Sequence, residues 1–299
     1  MAEKIKLTFL GTGGMIPTEN RGHPAFFISY ANEGILVDCG EGTQTQFRKA
    51  KLNPRKITRI LLTHRHGDHT FGIPGLFRTL AMSDYKRKLI IYGPKGIKKV
   101  IQGIFQAFGS TTEYPIEVKE VSGKFFESKD FFIEAEKMIH GQNCNAYSFN
   151  LKGKVRIDKR KLGKLKIKDG KHLQQLKEGK DIIYNGKKYK AKTLTFMEPG
   201  KKISFVLDTS MNGKIIPFVK GSDVFVCESS FGEELSAKAK EYQHLTSSQA
   251  GEMAKKAKVK ALYLVHISER YGKNPKILLE QAKKHFNKTF IPNDLDSIE

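Results

Sequence analysis

Cysteine is scarce. Cys39, Cys144 and Cys227 are the only three in 299 residues, scattered and without C-x-x-C spacing, which excludes a disulfide framework or a zinc ribbon. Buried free thiols are the expectation. Long apolar runs are missing as well: none approaches the ~18 residues that a membrane span needs, and the opening MAEKIKLTFLGTGG is strand-like, with no signal-peptide core. A soluble, cytoplasmic protein is expected. Acidic residues are also short, 31 against 53 Lys and Arg, and the net charge of +22 is far more than solubility needs. Such an excess points to a polyanionic partner. Its distribution argues the same way: Lys152 to Lys192 holds sixteen Lys or Arg against Asp158, Asp169, Glu178 and Asp181, more than half of the net charge in about a seventh of the chain. A merely solvated surface would spread it. At this length the chain can bury a sizeable core as one large domain or two fused halves.

Histidine is what the sequence concentrates instead. In ILLTHRHGDHTFGIPGL, residues 60–76, an apolar run that reads as a buried strand is followed by His64, His66, Asp68 and His69, an H-x-H-x-D-H pattern. In a tight loop leaving a strand, residues two apart face the same way, so His64 and His66 can share one metal while Asp68 and His69 turn toward a second. Imidazole and carboxylate suit zinc, with manganese or iron as alternatives. The bland alternative is a His-rich surface loop with no ion.

Other apolar runs end in the same manner. Lys4 to Leu10, Ala25 to Tyr30 and Gly34 to Val37 read as strands, the last closing on Asp38-Cys39-Gly40-Glu41-Gly42. Phe131 to Ile139 ends in His140, Ile203 to Leu207 in Asp208, Val224 to Cys227 in Glu228, and Ala261 to Val265 in His266. His64, His140, Asp208 and His266 thus each stand at the end of a buried element, where sheet proteins build sites. A histidine after a strand can equally be structural. His23, His172 and His285 lack such placement. Apolar residues at three- and four-residue steps predict a helix over Gly96 to Phe108, and Thr246 with Gln249 predicts a capping box for another. No internal repeat is visible.

These stretches together resemble one family. THRHGDHTFGIPGL resembles the metallo-β-lactamase superfamily signature in its RNase Z branch, the tRNA 3′-processing endonucleases, and FLGTGGMIPT and LVDCGEGTQTQF resemble that family's opening. The resemblance implies an α/β fold, a four-layer αββα sandwich with an inserted basic arm: residues 1–150 as the N-terminal half with the histidine loop, 151–192 as the RNA-binding arm, and 193–299 as the C-terminal half. It implies two zinc ions per subunit, one on His64, His66 and His140, the other on Asp68, His69 and His266, with Asp208 bridging and Asp38 supporting the ligands from behind. Water is then the nucleophile, and Asp68 orients it or accepts its proton. His244 matches the family histidine that protonates the departing ribose oxygen, Glu228 pairs with it, and Arg270 in VHISERY is a candidate phosphate clamp, with a structural ion pair as the alternative. The Lys152–Lys192 arm lies where the family carries its tRNA-binding insertion, although it lacks the Gly-Pro-rich tip of bacterial arms. A homodimer acting on precursor tRNA is the implied assembly. Two other readings compete: a hydrolase of a small ester, thioester or cyclic phosphodiester, for which the lysine-rich insertion has no use, and a nucleic-acid-binding protein with a structural metal, for which seven candidate ligands are too many.

Overall fold

Strands covered on both faces need apolar residues in both phases of the pleat, and the central strands of this chain have them. In Ala25–Tyr30, Phe26 and Ile28 enter one core while Ala25 and Phe27 enter another. The computed structural model describes residues 4–108 and 113–299, so Met1 to Glu3 of the opening stretch lie outside it.

Nine strands come first: β1 (Lys6–Gly11), β2 (Ala25–Tyr30), β3 (Glu33–Val37), β4 (Arg59–Leu61), β5 (Leu89–Gly93), β6 (Ile116–Glu120), β7 (Gly123–Glu127), β8 (Phe131–Ile139) and β9 (Asn143–Leu151). The basic segment contributes β10 (Lys154–Ile157), β11 (Ile182–Tyr184) and β12 (Lys187–Tyr189), and β13 (Thr195–Glu198) follows just past it. The chain then returns with β14 (Lys201–Val206), β15 (Val224–Glu228), β16 (Leu262–Val265), β17 (Thr289–Phe290) and β18 (Ser297–Ile298). Two seven-stranded sheets result, ordered β18-β1-β2-β3-β4-β5-β6 and β17-β16-β15-β14-β9-β8-β7.

The sheets pack face to face through Phe9, Phe26, Phe131, Tyr147, Phe149 and Phe205. The outer face of the first is covered by the helices Ile73–Met82 and Ile97–Phe108, and that of the second by Ser247–Lys256 and Lys276–Lys283. This is the expected four-layer αββα order, a metallo-β-lactamase sandwich. Both sheets also follow one plan that the sequence hides. From β18 to β6, and again from β7 through β9 and β14 to β17, three antiparallel pairings are followed by three parallel ones.

Parallel strands gather their carboxyl ends on one edge, where α/β sheets bind ligands. Asp38, Asp208 and His266 lie just past β3, β14 and β16. Each adopts the left-handed backbone region, with φ of 55°, 27° and 57°. β8 runs antiparallel to β9 and β9 to β14, so β8 points the same way as β14 and delivers His140 to the same edge.

Boundaries moved by a residue or two. The strand expected over Ile203 to Leu207 begins at Lys201, because Lys201 and Lys202 pair with Leu151 and Asn150. The one expected over Lys4 to Leu10 runs Lys6–Gly11. The helix after Gly96 and the Thr246–Gln249 capping box form as expected. All three cysteines are buried and free. Among the described residues no helix is long and apolar enough to cross a membrane.

The basic segment and the residues just past it pack a small cluster of their own: Leu162, Ile167, Leu176, Ile182, Ala191 and Leu194 are buried together. β10 pairs with β13, and β11 with β12 across an Asn185-Gly186 turn whose positive φ values, 49° and 75°, suit a tight hairpin. With these apolar side chains turned inward, the segment leaves its lysines from Lys159 to Lys192 exposed.

Candidate active site

The histidine loop is clamped from both sheets. Tyr147 of β9 donates through its hydroxyl to the Leu62 carbonyl at 2.8 Å, and the Asn145 amide to the Thr63 carbonyl at 2.9 Å. From the other side, the Cys39 amide donates to the His69 carbonyl and the Gly72 amide to the Cys39 carbonyl, both at 2.9 Å. The backbones here touch: a Cβ on Gly40 would lie 2.4 Å from the Asp68 carbonyl oxygen, and one on Gly72 2.0 Å from that of Gly40. That is why glycine stands at both positions.

So held, the loop meets His140, Asp208 and His266, which the sequence separates by up to two hundred residues. His64 Nε2 lies 2.9 Å from His66 Nδ1, which lies 3.4 Å from His140 Nε2, and Asp208 Oδ2 stands 3.5 and 4.0 Å from His64 and His140. On the other side, Asp68 Oδ2 is 3.2 Å from His69 Nε2 and 3.3 Å from His266 Nε2, and Asp208 Oδ1 is 3.4 and 3.3 Å from the same two nitrogens. Asp208 therefore turns one oxygen to each group. Four ligands ~2.1 Å from a shared tetrahedral ion stand ~3.4 Å apart, which these separations bracket.

Backing hydrogen bonds orient the nitrogens. Nδ1 of His69 donates to Asp38 Oδ2 at 2.7 Å, Nδ1 of His64 to Thr63 Oγ1 at 3.1 Å, Nδ1 of His140 to the Gln243 carbonyl at 3.2 Å and Nδ1 of His266 to Ser230 Oγ at 2.8 Å. Each leaves an Nε2 lone pair aimed inward, as metal-ligating imidazoles require. Asp38 is itself held by the Thr63 amide and hydroxyl at 2.7 and 2.8 Å.

Charge makes the same demand. Asp38, Asp68 and Asp208 are buried, and among the described residues no Lys or Arg pairs with them. Among the described residues, Asp68 Oδ1, Asp208 Oδ1 and His69 Nε2 are buried without a hydrogen-bond partner, a costly state unless a ligand relieves it. Without a metal a proton must serve: burial works to lower the His69 imidazole, but Asp208, Asp38 and Asp68 outweigh it and hold it well above its usual range. Burial, then His69, pushes His64 well down. A divalent cation supplies the same neutralisation, and the donor set fits it.

Beside the cluster, Glu228 is fully buried and accepts from the Thr209 amide at 2.7 Å, Ser230 Oγ at 2.7 Å and His244 Nδ1 at 3.0 Å. Burial lowers the His244 imidazole and Glu228 raises it, with a net rise to about 9. Burial would raise Glu228, but His244 outweighs it and the carboxyl is lowered. Glu228, His244 and His266 also approach one another, but Ser230 Oγ bonds to all three and fills the space between them. His244 lines a cleft of about 380 Å³ together with His66, Asp68, Met15, Tyr242 and Arg270. Arg270 makes no ion pair among the described residues; it is exposed, with its guanidinium 5.7 Å from the Phe231 ring centre.

Every ligand candidate from the sequence is thus in one place, and His23, His172 and His285 are outside it. Sequence reasoning missed Thr63, Ser230 and the Gln243 carbonyl. Ser230, two residues past Glu228 in CESSF, carried a signal only in being a small polar residue just beyond a buried strand.

The structure is similar to that of the metallo-β-lactamase fold protein YhfI from Bacillus subtilis (TM-score 0.72, 20% identity, 99% of each chain). It is also similar to the short form of human tRNase Z (TM-score 0.71, 24% identity, 98% of each chain). Fold and site define a protein of the metallo-β-lactamase fold with His and Asp clusters suited to divalent metal. Ribonuclease Z of Nanoarchaeum equitans is 39% identical over 97% of this chain and 92% of its own, and Ribonuclease Z of Oceanobacillus iheyensis 37% identical over 99% and 100%. The chain belongs to the Ribonuclease Z family over nearly its whole length, and its residues 5–160 to the family described as Anti-Pycsar protein Apyc1.

Proposed function

We propose that this chain is an endoribonuclease that removes the 3′ trailer of precursor tRNA, working in the cytoplasm as a homodimer with two zinc ions per subunit. One observation carries the reading: a chain related to Ribonuclease Z over 97% of its length keeps two donor clusters that share Asp208. His64, His66 and His140 would hold one ion, Asp68, His69 and His266 the other, and Asp208 both. Bound there, such ions lower the pKa of water from ~15.7 to ~7 and stabilise charge on a phosphodiester under attack.

The chain's own groups do the rest. Asp68 turns Oδ2 to His69 and His266, while its Oδ1, without a partner among the described residues, can orient the attacking water and take its proton. His244, charged at neutral pH, gives its Nδ1 hydrogen to Glu228 and keeps Nε2 for the departing ribose oxygen. Arg270, exposed at the cleft, is placed to hold a phosphate. The Lys152–Lys192 arm supplies salt-dependent affinity for the phosphates of a structured RNA.

Incubating the zinc-loaded protein with a tRNA that bears a 3′ trailer, and mapping the ends by sequencing, tests the reading. A single cut near the discriminator nucleotide is the expected result. Turnover of a bis-aryl phosphate with the RNA left intact would move the chain to the small-molecule hydrolases, and binding without any turnover to the nucleic-acid-binding proteins.

A further inference from the structure

Tyr242 belongs to the cleft but to none of the chemistry described so far. It is 56% exposed, and its hydroxyl makes no hydrogen bond among the described residues. Its ring lies parallel to that of Phe231, at an interplanar angle of 7° and a centroid distance of 6.3 Å. Phe231 is 5% exposed, so the pair has a buried base and an outward step.

The step is rigidly placed. The Tyr242 amide donates to the Lys238 carbonyl at 2.9 Å and the His244 amide to that of Ala239 at 2.8 Å, while the carbonyl of Gln243, between them, accepts from His140. One turn therefore fixes the Tyr242 backbone relative to both the donor cluster and His244, whose ring is 6.0 Å from Phe231. Across the same cleft Met15 and Ile16 are 57% and 54% exposed. A polar floor of imidazole and carboxylate is thus flanked by flat apolar surface, which matches a nucleotide: phosphate on the floor, base on the wall.

We infer that Phe231 and Tyr242 form a stacking step for the base of the nucleotide whose ribose oxygen departs, an inference that rests on the proposed RNA cleavage. His244 selects that nucleotide, because the base nearest the departing oxygen is the one attached to the same ribose. Every base has a π face, so the step accepts any of them, as suits a substrate read by shape.

The test uses the zinc-loaded protein and three precursor tRNAs: intact, abasic at the nucleotide on the departing side of the cut, and abasic on the other side. The end chemistry of the products identifies the sides. Base stacking on an aromatic side chain corresponds to roughly 5- to 150-fold in kcat/KM, and the wild-type protein is expected to lose that factor on the first abasic substrate and little on the second. Tyr242→Ala should lose a similar factor on intact RNA and nothing further on the abasic one, while Tyr242→Phe restores the discrimination. A second readout needs no turnover. With 2-aminopurine at the departing-side nucleotide, chelator-treated wild-type protein and Tyr242→Phe should quench its emission and Tyr242→Ala should not, and a chain without tryptophan adds little background. Equal cleavage of intact and abasic RNA by the wild type, or losses that multiply in Tyr242→Ala, would overturn the step while leaving the RNA-cleavage reading standing. Failure of the wild type to cut intact precursor would bring down both.

Discussion

Glu228→Gln removes one charge from the buried network and keeps its shape. The amide oxygen can still accept from the Thr209 amide and from His244 Nδ1, and the new NH2 can donate to Ser230 Oγ, so the local geometry has no reason to collapse. What changes is His244. Its rise to about 9 exists because the Glu228 carboxylate outweighs burial; with that charge gone, only the weaker pull of Asp208 opposes burial and the imidazole falls back toward its usual ~6.5. The difference corresponds to ~3 kcal/mol of preference for the charged acid. At pH 7.5 the wild-type imidazole is nearly all protonated, whereas the variant retains about a tenth or less. The general-acid role proposed for His244 requires its proton, so on that proposal the activity of the wild type falls as pH rises through about 9, and that of the variant as pH rises through ~6.5. Neighbouring cations shift both limbs downward together and preserve their separation. Measured on precursor tRNA with metal content checked by mass spectrometry, Glu228→Gln should lose ~10-fold or more at pH 7.5 and come within ~2-fold of wild type near pH 5.5. A loss of the same size at every pH, with metals retained, would refute the claim that Glu228 acts by keeping His244 charged.

Three further outcomes are expected. Asp208→Asn should cut bound zinc below the two ions per chain expected for wild type, and His140→Ala should spare the ion on Asp68, His69 and His266; metal analysis after gel filtration distinguishes them. Chelation should lower the melting temperature, because three buried carboxylates lose their cation: ions present at a hundred times their dissociation constant add ~2.7 kcal/mol each, about 5 °C or more for a chain of this size, and added zinc should restore it. Replacing Lys159, Arg160, Lys161 and Lys164 together with Glu should weaken RNA binding at low salt and flatten its salt dependence, by a slope of ~0.7 to 0.9 for each phosphate that is no longer neutralised, while leaving bis-aryl phosphate turnover near wild type.

Strand ends made much of the site legible. An apolar run closing on His140, Asp208 or His266 can be seen in a sequence, and the two-residue spacing in the loop after β4 did the same for His64 and His66. Of the groups behind the ligands, Asp38 was legible through the family resemblance, and it does meet His69; Thr63 and Ser230 were not, since they are common residues whose meaning lies in which imidazole they face. Among the strands, β9 was invisible for a similar reason. In NCNAYSFNL the alternation is broken by Asn145, Ser148 and Asn150, buried because the Asn145 side chain donates to the Val121 carbonyl and Asn150 to Ser148. The basic segment showed its charge plainly but not its folded core, which has only a handful of buried apolar residues among many lysines.

The left-handed backbone at Asp38, Asp208 and His266 has a consequence for how such a site can vary. Asp, Asn and His are the side-chain-bearing residues that tolerate that region most readily, and Asp and His are also the oxygen and nitrogen donors that metal chemistry asks for. Steric tolerance and coordination therefore filter these positions twice through almost the same short alphabet. Alanine there would strain the chain and delete a donor in one stroke, confounding stability with activity. Asparagine at 38 and 208 is the substitution that separates the two.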